Sequence, residues 1–267
     1  MSEFAKRAIT GAAYVTLTLG AAWAGPVTTT LLFLPVCLLA AREMYRLTAR
    51  SSVPHTATYP VLAAAVVYVI LALISIVPRI SPLAGVTVLF LVFFGGVLET
   101  LWRHGASASK EIGSLLMVLF LVALPFGLIP ALMHGGPQLF VGFMLMLWTN
   151  DTGAYLVGRS MGRTALLPRV SPKKTVEGFI GGVVLAIAVG AALGQAWPIL
   201  TTMEWMACGA VVAITSTIGD LLESAFKREA GVKDSGDLLP GHGGILDRFD
   251  GFLLALPAML ITVQLIN

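Results

Sequence analysis

Seven of the chain's fourteen acidic residues stand between Asp220 and Asp250: Asp220, Glu223, Glu229, Asp234, Asp237, Asp247 and Asp250. Asp220, like Asp151, falls near the end of an apolar run, where an ionised carboxylate is costly unless a cation or a water-filled cavity receives it. Asp247 and Asp250 share one face if a helix starts near Asp247. Aspartates there also suit the positive end of a helix dipole, so the pair alone fits a plain helix start equally well. With Asp220 added, and no matched lysine beside each, the three carboxylates suit a hard divalent cation. Magnesium takes few carboxylates and completes its shell with waters and substrate phosphates. Asp234 is a further candidate ligand. Within the same window lies Pro240-Gly241-His242-Gly243-Gly244. Its glycines let backbone approach a ligand closely, and successive N–H groups can cradle phosphate. It is neither a Walker A loop nor a zinc motif.

A second polar stretch carries the opposite charge. Ser171-Pro172-Lys173-Lys174-Thr175 sets two ammonium groups behind a proline. The following Val176-Glu177-Gly178 could open a helix whose N–H groups face an anion. Adjacent lysines are equally what a cytoplasmic membrane anchor carries. Arg159 and Arg163, spaced i, i+4, are predicted on one helical face with the same ambiguity.

The elements that must position these residues follow from composition. A chain of 267 residues that is 57% hydrophobic and 12% charged is not an ordinary soluble fold. Uncharged apolar stretches of about 18 residues or more recur from end to end and predict an all-α polytopic integral membrane protein. The alternation of a β-barrel is absent. Nine spans are expected, at roughly 6–24, 27–45, 59–77, 83–101, 112–132, 138–157, 178–196, 205–222 and 249–265. Lys6 and Arg7 before an apolar run mimic a signal peptide. That run continues uncharged to Ala41, and Gly25-Pro26 splits it into two spans.

Placing the N-terminus in the cytoplasm puts every Lys and Arg except Arg79 on that side, with the C-terminus opposite. Residues 1–137 then form an N-terminal helical part of about five spans. Residues 138–267 form a C-terminal part with cytoplasmic catalytic loops at 158–177 and 223–250. Glu43 and Glu99 read as interfacial. Cys37 and Cys208 read as small buried hydrophobes, not as a disulfide or metal pair. No internal repeat supports a transporter architecture.

One pattern is highly specific. Ser224-Ala225-Phe226-Lys227-Arg228, then Lys233-Asp234, Gly236, Leu239-Pro240, His242-Gly243-Gly244 and Asp247-Arg248-Phe249-Asp250 resembles the signature of the phosphatidate cytidylyltransferase (CDP-diacylglycerol synthase) family. No departure occurs over residues 224–250, and Asp151–Tyr155 with Ser171–Gly178 is similar to the family as well. The resemblance implies transfer of CMP from CTP to phosphatidic acid, giving CDP-diacylglycerol and pyrophosphate. It implies a magnesium ion held by Asp220 and Asp247, with Asp250 and Asp234 second, and a further, monovalent cation such as K+. Lys173, Lys174, Lys227, Arg228, Lys233 and Arg248 would divide between the CTP and lipid phosphates, and His242 would position a phosphate or the loop. Arg159, Arg163, Ser171, Thr175, Ser224, Gly243 and Gly244 are the expected substrate contacts. The expected setting is a bacterial inner membrane with the active site on the cytoplasmic side. Membrane lipids are expected partners, a homodimer is implied, and no nucleic acid is expected. A CTP-dependent polyprenol kinase is the nearest alternative. An ion-coupled transporter fits less well, because ionisable groups near the bilayer midplane are almost lacking.

Overall fold

The computed structural model describes residues 3–49, 57–102, 107–237 and 243–266. Among these, seven helices are long and apolar enough to cross a membrane. In hydrocarbon every backbone N–H and C=O must be satisfied internally, so the uncharged runs can span only as helices. The chain is a polytopic all-α integral membrane protein, as its composition predicts. It divides into two compact units, residues 1–134 with 230–248, and residues 135–229 with 249–267.

The first unit holds α1 (Glu3–Ala24), α2 (Pro26–Ala49), α3 (Thr58–Ile76), α4 (Pro82–Trp102) and a helical run from Ala108 to Leu132. Gly25, at φ +117°, makes the break between α1 and α2, a conformation L side chains rarely adopt. Thr29 Oγ1 then donates across the break to the Ala21 carbonyl at 3.0 Å. The core gathers Phe33, Tyr45, Tyr68 and Phe126, all fully buried. The Tyr68 hydroxyl is satisfied by the Thr30 carbonyl at 2.6 Å, which lets so polar a group stay inside. On α4 only Gly85, Gly96 and Thr100 are buried, while Leu83, Phe90, Leu101 and Trp102 are exposed. Such a bare apolar face suits lipid.

The run from Ala108 to Leu132 is one of the seven candidate spans, as expected at 112–132, but it is not one regular α-helix. It comprises α5 (Ala108–Met117), a π-helical turn (Val118–Ala123), α6 (Leu124–Gly127) and α7 (Ile129–Leu132). Pro125 and Pro130 have no N–H to donate, so the regular ladder cannot run through them.

The second unit holds α8 (Pro137–Met161), β1 (Ala165–Leu167), β2 (Ser171–Thr175), α9 (Val176–Ala196) and α10 (Thr202–Ala230) to Glu229. It also holds α11 (Leu246–Ile266) from Phe249 onward. Its helices meet backbone to backbone. A Cβ on Gly153 would lie 3.3 Å from the Gly181 carbonyl oxygen, and one on Gly209 would lie 2.6 Å from that of Ala186. A Cβ on Gly190 would strike the Trp205 carbonyl. Where lipid replaces water, packing of small residues supplies much of the association between helices.

The stretch 158–177, expected as a loop, is part helix and part hairpin. Helix α8 continues to Met161, and β1 pairs antiparallel with β2. Arg163 therefore does not share a helical face with Arg159, because Gly162 ends α8 between them. Likewise α10 takes up the first residues of the expected loop 223–250.

Candidate active site

In the second unit a cavity of about 480 Å³ opens between the hairpin and the helices α8 to α10. The hairpin supplies Ser171, Lys173, Lys174 and Thr175, α8 supplies Asn150, Asp151, Tyr155 and Arg159, and α10 supplies Ser216 and Asp220. Asp151, Tyr155 and Arg159 recur every fourth residue, so one face of α8 carries all three. Arg159 Nη1 donates to the Tyr155 hydroxyl at 3.1 Å, tying that face together.

Lys174 forms an ion pair with Asp220. The expectation that Asp220 lacks a matched lysine is thus corrected; the partner comes from a hairpin 46 positions earlier in the chain. Ser224 Oγ donates to Asp220 Oδ1 at 3.4 Å from one turn along α10. Ser224 therefore orients this carboxylate, and it is not among the cavity-lining residues. Asp250, in the first turns of α11, lies close enough to Asp220, Glu223 and Asp151 for mutual repulsion. Asp151, Asp220 and Asp250 thus gather beside Lys174, with Lys173 and Arg159 also facing the cavity and Glu223 paired to Lys227.

The carboxylate oxygens fit a hard divalent cation in their chemistry. Among the described residues, no three His, Cys, Asp or Glu side chains close around an ion. Magnesium does not require them to, since one or two carboxylates with waters and substrate phosphates complete its shell.

Other expected residues have different duties. Helix α9 opens at Val176, as Lys174-Thr175-Val176-Glu177 implies, and Thr175 Oγ1 accepts the Gly178 N–H at 3.1 Å as its N-cap. The Glu177 carboxylate takes the backbone N–H of Arg163 at 3.0 Å and that of Thr164. Glu177 thus fixes the return of the hairpin, and the Arg163 side chain is exposed outside the cavity. Arg228 Nε reaches the Val170 carbonyl at 3.3 Å and holds the hairpin turn. Lys227 is paired within α10 to buried Glu223 at 2.5 Å.

Lys233, Asp234, Gly243, Gly244, Asp247 and Arg248 belong to the first unit. Lys233, Asp234 and Arg248 are exposed there. Asp247 Oδ2 accepts the backbone N–H groups of Gly244 at 2.8 Å and Ser235 at 3.0 Å. Gly243 stands at φ +77°, and a Cβ on it would lie 2.6 Å from that same oxygen, so this glycine is needed for both conformation and space. His242, with Pro240 and Gly241, lies outside the described residues.

Glu43 has a structural duty that the sequence did not disclose. It is buried within the protein, 8% exposed, and accepts N–H groups from Ile245 at 3.0 Å and Leu246 at 2.8 Å. Sequence reasoning also left Asn150, Tyr155 and Ser216 out of the site. The four-residue recurrence of Asp151, Tyr155 and Arg159 was the available signal for the α8 face.

The model of the cytidylyltransferase family matches residues 5–266, almost the whole chain. The chain belongs to the cytidylyltransferase family. Relatives of this cytidylyltransferase-family chain include proteins named phosphatidate cytidylyltransferase. The one from Staphylococcus aureus (strain COL) is 48% identical over 120 residues, covering 44% of this chain and 45% of the relative. The Staphylococcus haemolyticus (strain JCSC1435) protein is 46% identical over 124 residues, with the same shares. The matched stretch thus spans less than half the length of these relatives.

Proposed function

We propose that the protein transfers CMP from CTP to phosphatidic acid, giving CDP-diacylglycerol and pyrophosphate. The observation that carries this reading is the cavity in which Lys173, the Lys174–Asp220 pair and Arg159 face one space. Membership of the cytidylyltransferase family and the names of the relatives support the same chemistry.

An oxygen of the phosphatidate monoester attacks the α-phosphorus of CTP. The new P–O bond forms as the bond from that phosphorus to the α,β-bridging oxygen breaks, and the electron pair departs with pyrophosphate. A phosphate monoester has a second pKa near ~6 and is largely ionised at neutral pH, so the nucleophile needs no general base. What the reaction needs is alignment and charge neutralisation. Lys173 and Arg159 contact phosphate oxygens, while Lys174 holds Asp220 in place until substrate enters. Asp220, with Asp250 and Asp151 beside it, would hold the divalent cation. When bound, that ion neutralises phosphate charge and aligns the leaving group.

The proposed orientation follows the positive-inside bias. The hairpin faces the cytoplasm of a bacterial inner membrane, where CTP is found, and the lipid enters from the bilayer.

The test uses purified protein in detergent with phosphatidic acid and CTP labelled on either the α- or the γ-phosphorus. Cytidylyl transfer moves the α label into lipid and leaves the γ label in pyrophosphate. A γ label in lipid would replace this reading with a CTP-dependent kinase.

A further inference from the structure

We infer that Glu43 is a positioning residue that fixes Ser235 and Gly236 against residues 244–246 by capping the start of α11 from a distant helix. The inference rests on the reading under Proposed function for its kinetic consequence, though not for its structural one. Glu43 sits late in α2, buried, about two hundred positions before the residues that it holds. Its Oε2 accepts the Leu246 N–H at 2.8 Å and the Ser235 hydroxyl at 2.9 Å, and its Oε1 accepts the Ile245 N–H at 3.0 Å.

Leu246 is the first residue of α11, so these N–H groups are among those that a helix start leaves without intrahelical partners. A buried carboxylate is costly unless its oxygens are fully bonded. Here the helix dipole favours its negative charge. Neither group finds its partner nearby in sequence, and the pairing satisfies both.

Two glycines of the signature are explained by the same carboxylate. A Cβ on Gly236 would lie 2.6 Å from Glu43 Oε1, and one on Gly244 would collide with Oε2. Ser235 joins two carboxylates, its hydroxyl on Glu43 and its N–H on Asp247. Gly244 likewise gives its N–H to Asp247 while its bare α-carbon leaves room for Glu43. Ser235 and Gly244 are thus held between Glu43 and Asp247.

The experiment combines local hydrogen exchange with kinetics on full-length protein in detergent. Glu43→Gln keeps shape but sets an amide NH2 against N–H donors. Ser235→Ala removes one donor and is the milder variant, so a folded sample is available if the first unfolds. Hydrogen bonds to charged groups are strong, so exchange at the amides of residues 243–247 rises about tenfold or more in Glu43→Gln and less in Ser235→Ala. Exchange in α3 stays at the wild-type rate. Turnover falls about tenfold while KM for CTP moves less than about twofold, the split expected when alignment and not binding is lost.

Unchanged exchange at residues 243–247 in both variants overturns the inference. So does a loosened segment with wild-type turnover. If the wild-type protein moves no label from CTP to lipid, the proposed reaction fails, and the exchange result alone decides whether Glu43 holds the segment.

Discussion

Two polar regions carry the same residue types and use them in opposite ways. Around the hairpin, Lys173, Lys174, Arg159, Asp151 and Asp220 face a cavity, and Lys174 is paired to Asp220. Around Ser235 and residues 244–246, the carboxylates of Glu43 and Asp247 accept backbone N–H groups at 2.8–3.0 Å. A carboxylate bonded to several backbone donors holds the chain, whereas one paired with a single mobile ammonium can exchange that partner for another ligand. The contrast separates groups proposed to handle substrate from groups that hold the chain.

The sharpest way to break this comparison is at Asp220. Removing its charge in Asp220→Asn takes away the partner of Lys174 and the principal donor proposed for the cation. Turnover should fall about 10³-fold, at the upper end for loss of one electrostatic group, with little change in thermal unfolding. Asp247→Asn is the counterpart in the other region. Its amide oxygen can still accept the N–H groups of Ser235 and Gly244, so a smaller loss of about 10–100-fold is expected in the same assay. Equal losses would erase the distinction drawn here.

Two further changes are read in stability. Gly209→Val drives a side chain against the Ala186 carbonyl, 2.6 Å from where its Cβ would stand. It should cost about 1–3 kcal/mol, seen as a lower unfolding temperature in detergent. The smallest effect belongs to Thr175→Ala, which removes the N-cap of α9 and should cost about 1 kcal/mol.

Much of this was legible in the residues themselves. Uncharged runs forced helices, and Asp220 and Lys173-Lys174 stood out as scarce charge beside apolar spans. The hairpin was not legible, because Ser171-Pro172-Lys173-Lys174-Thr175 has neither the alternation nor the β-branched content of a strand. Tertiary bonds from Glu177 and Arg228 hold it instead. Glu43 was hidden for a different reason. Its partners are Ser235, Ile245 and Leu246, and no local periodicity links positions so far apart. The break in the run from Ala108 could have been read from Pro125 and Pro130, which the apolar composition around them obscured.

The most direct measurement of the central claim is transfer of α-labelled cytidylate to phosphatidic acid by wild-type protein and by Asp220→Asn, each with and without magnesium. The account predicts magnesium-dependent labelled lipid from the wild type and almost none from a folded Asp220→Asn. Wild-type rates from Asp220→Asn, or no labelled lipid from the wild type under any cation condition, would contradict it.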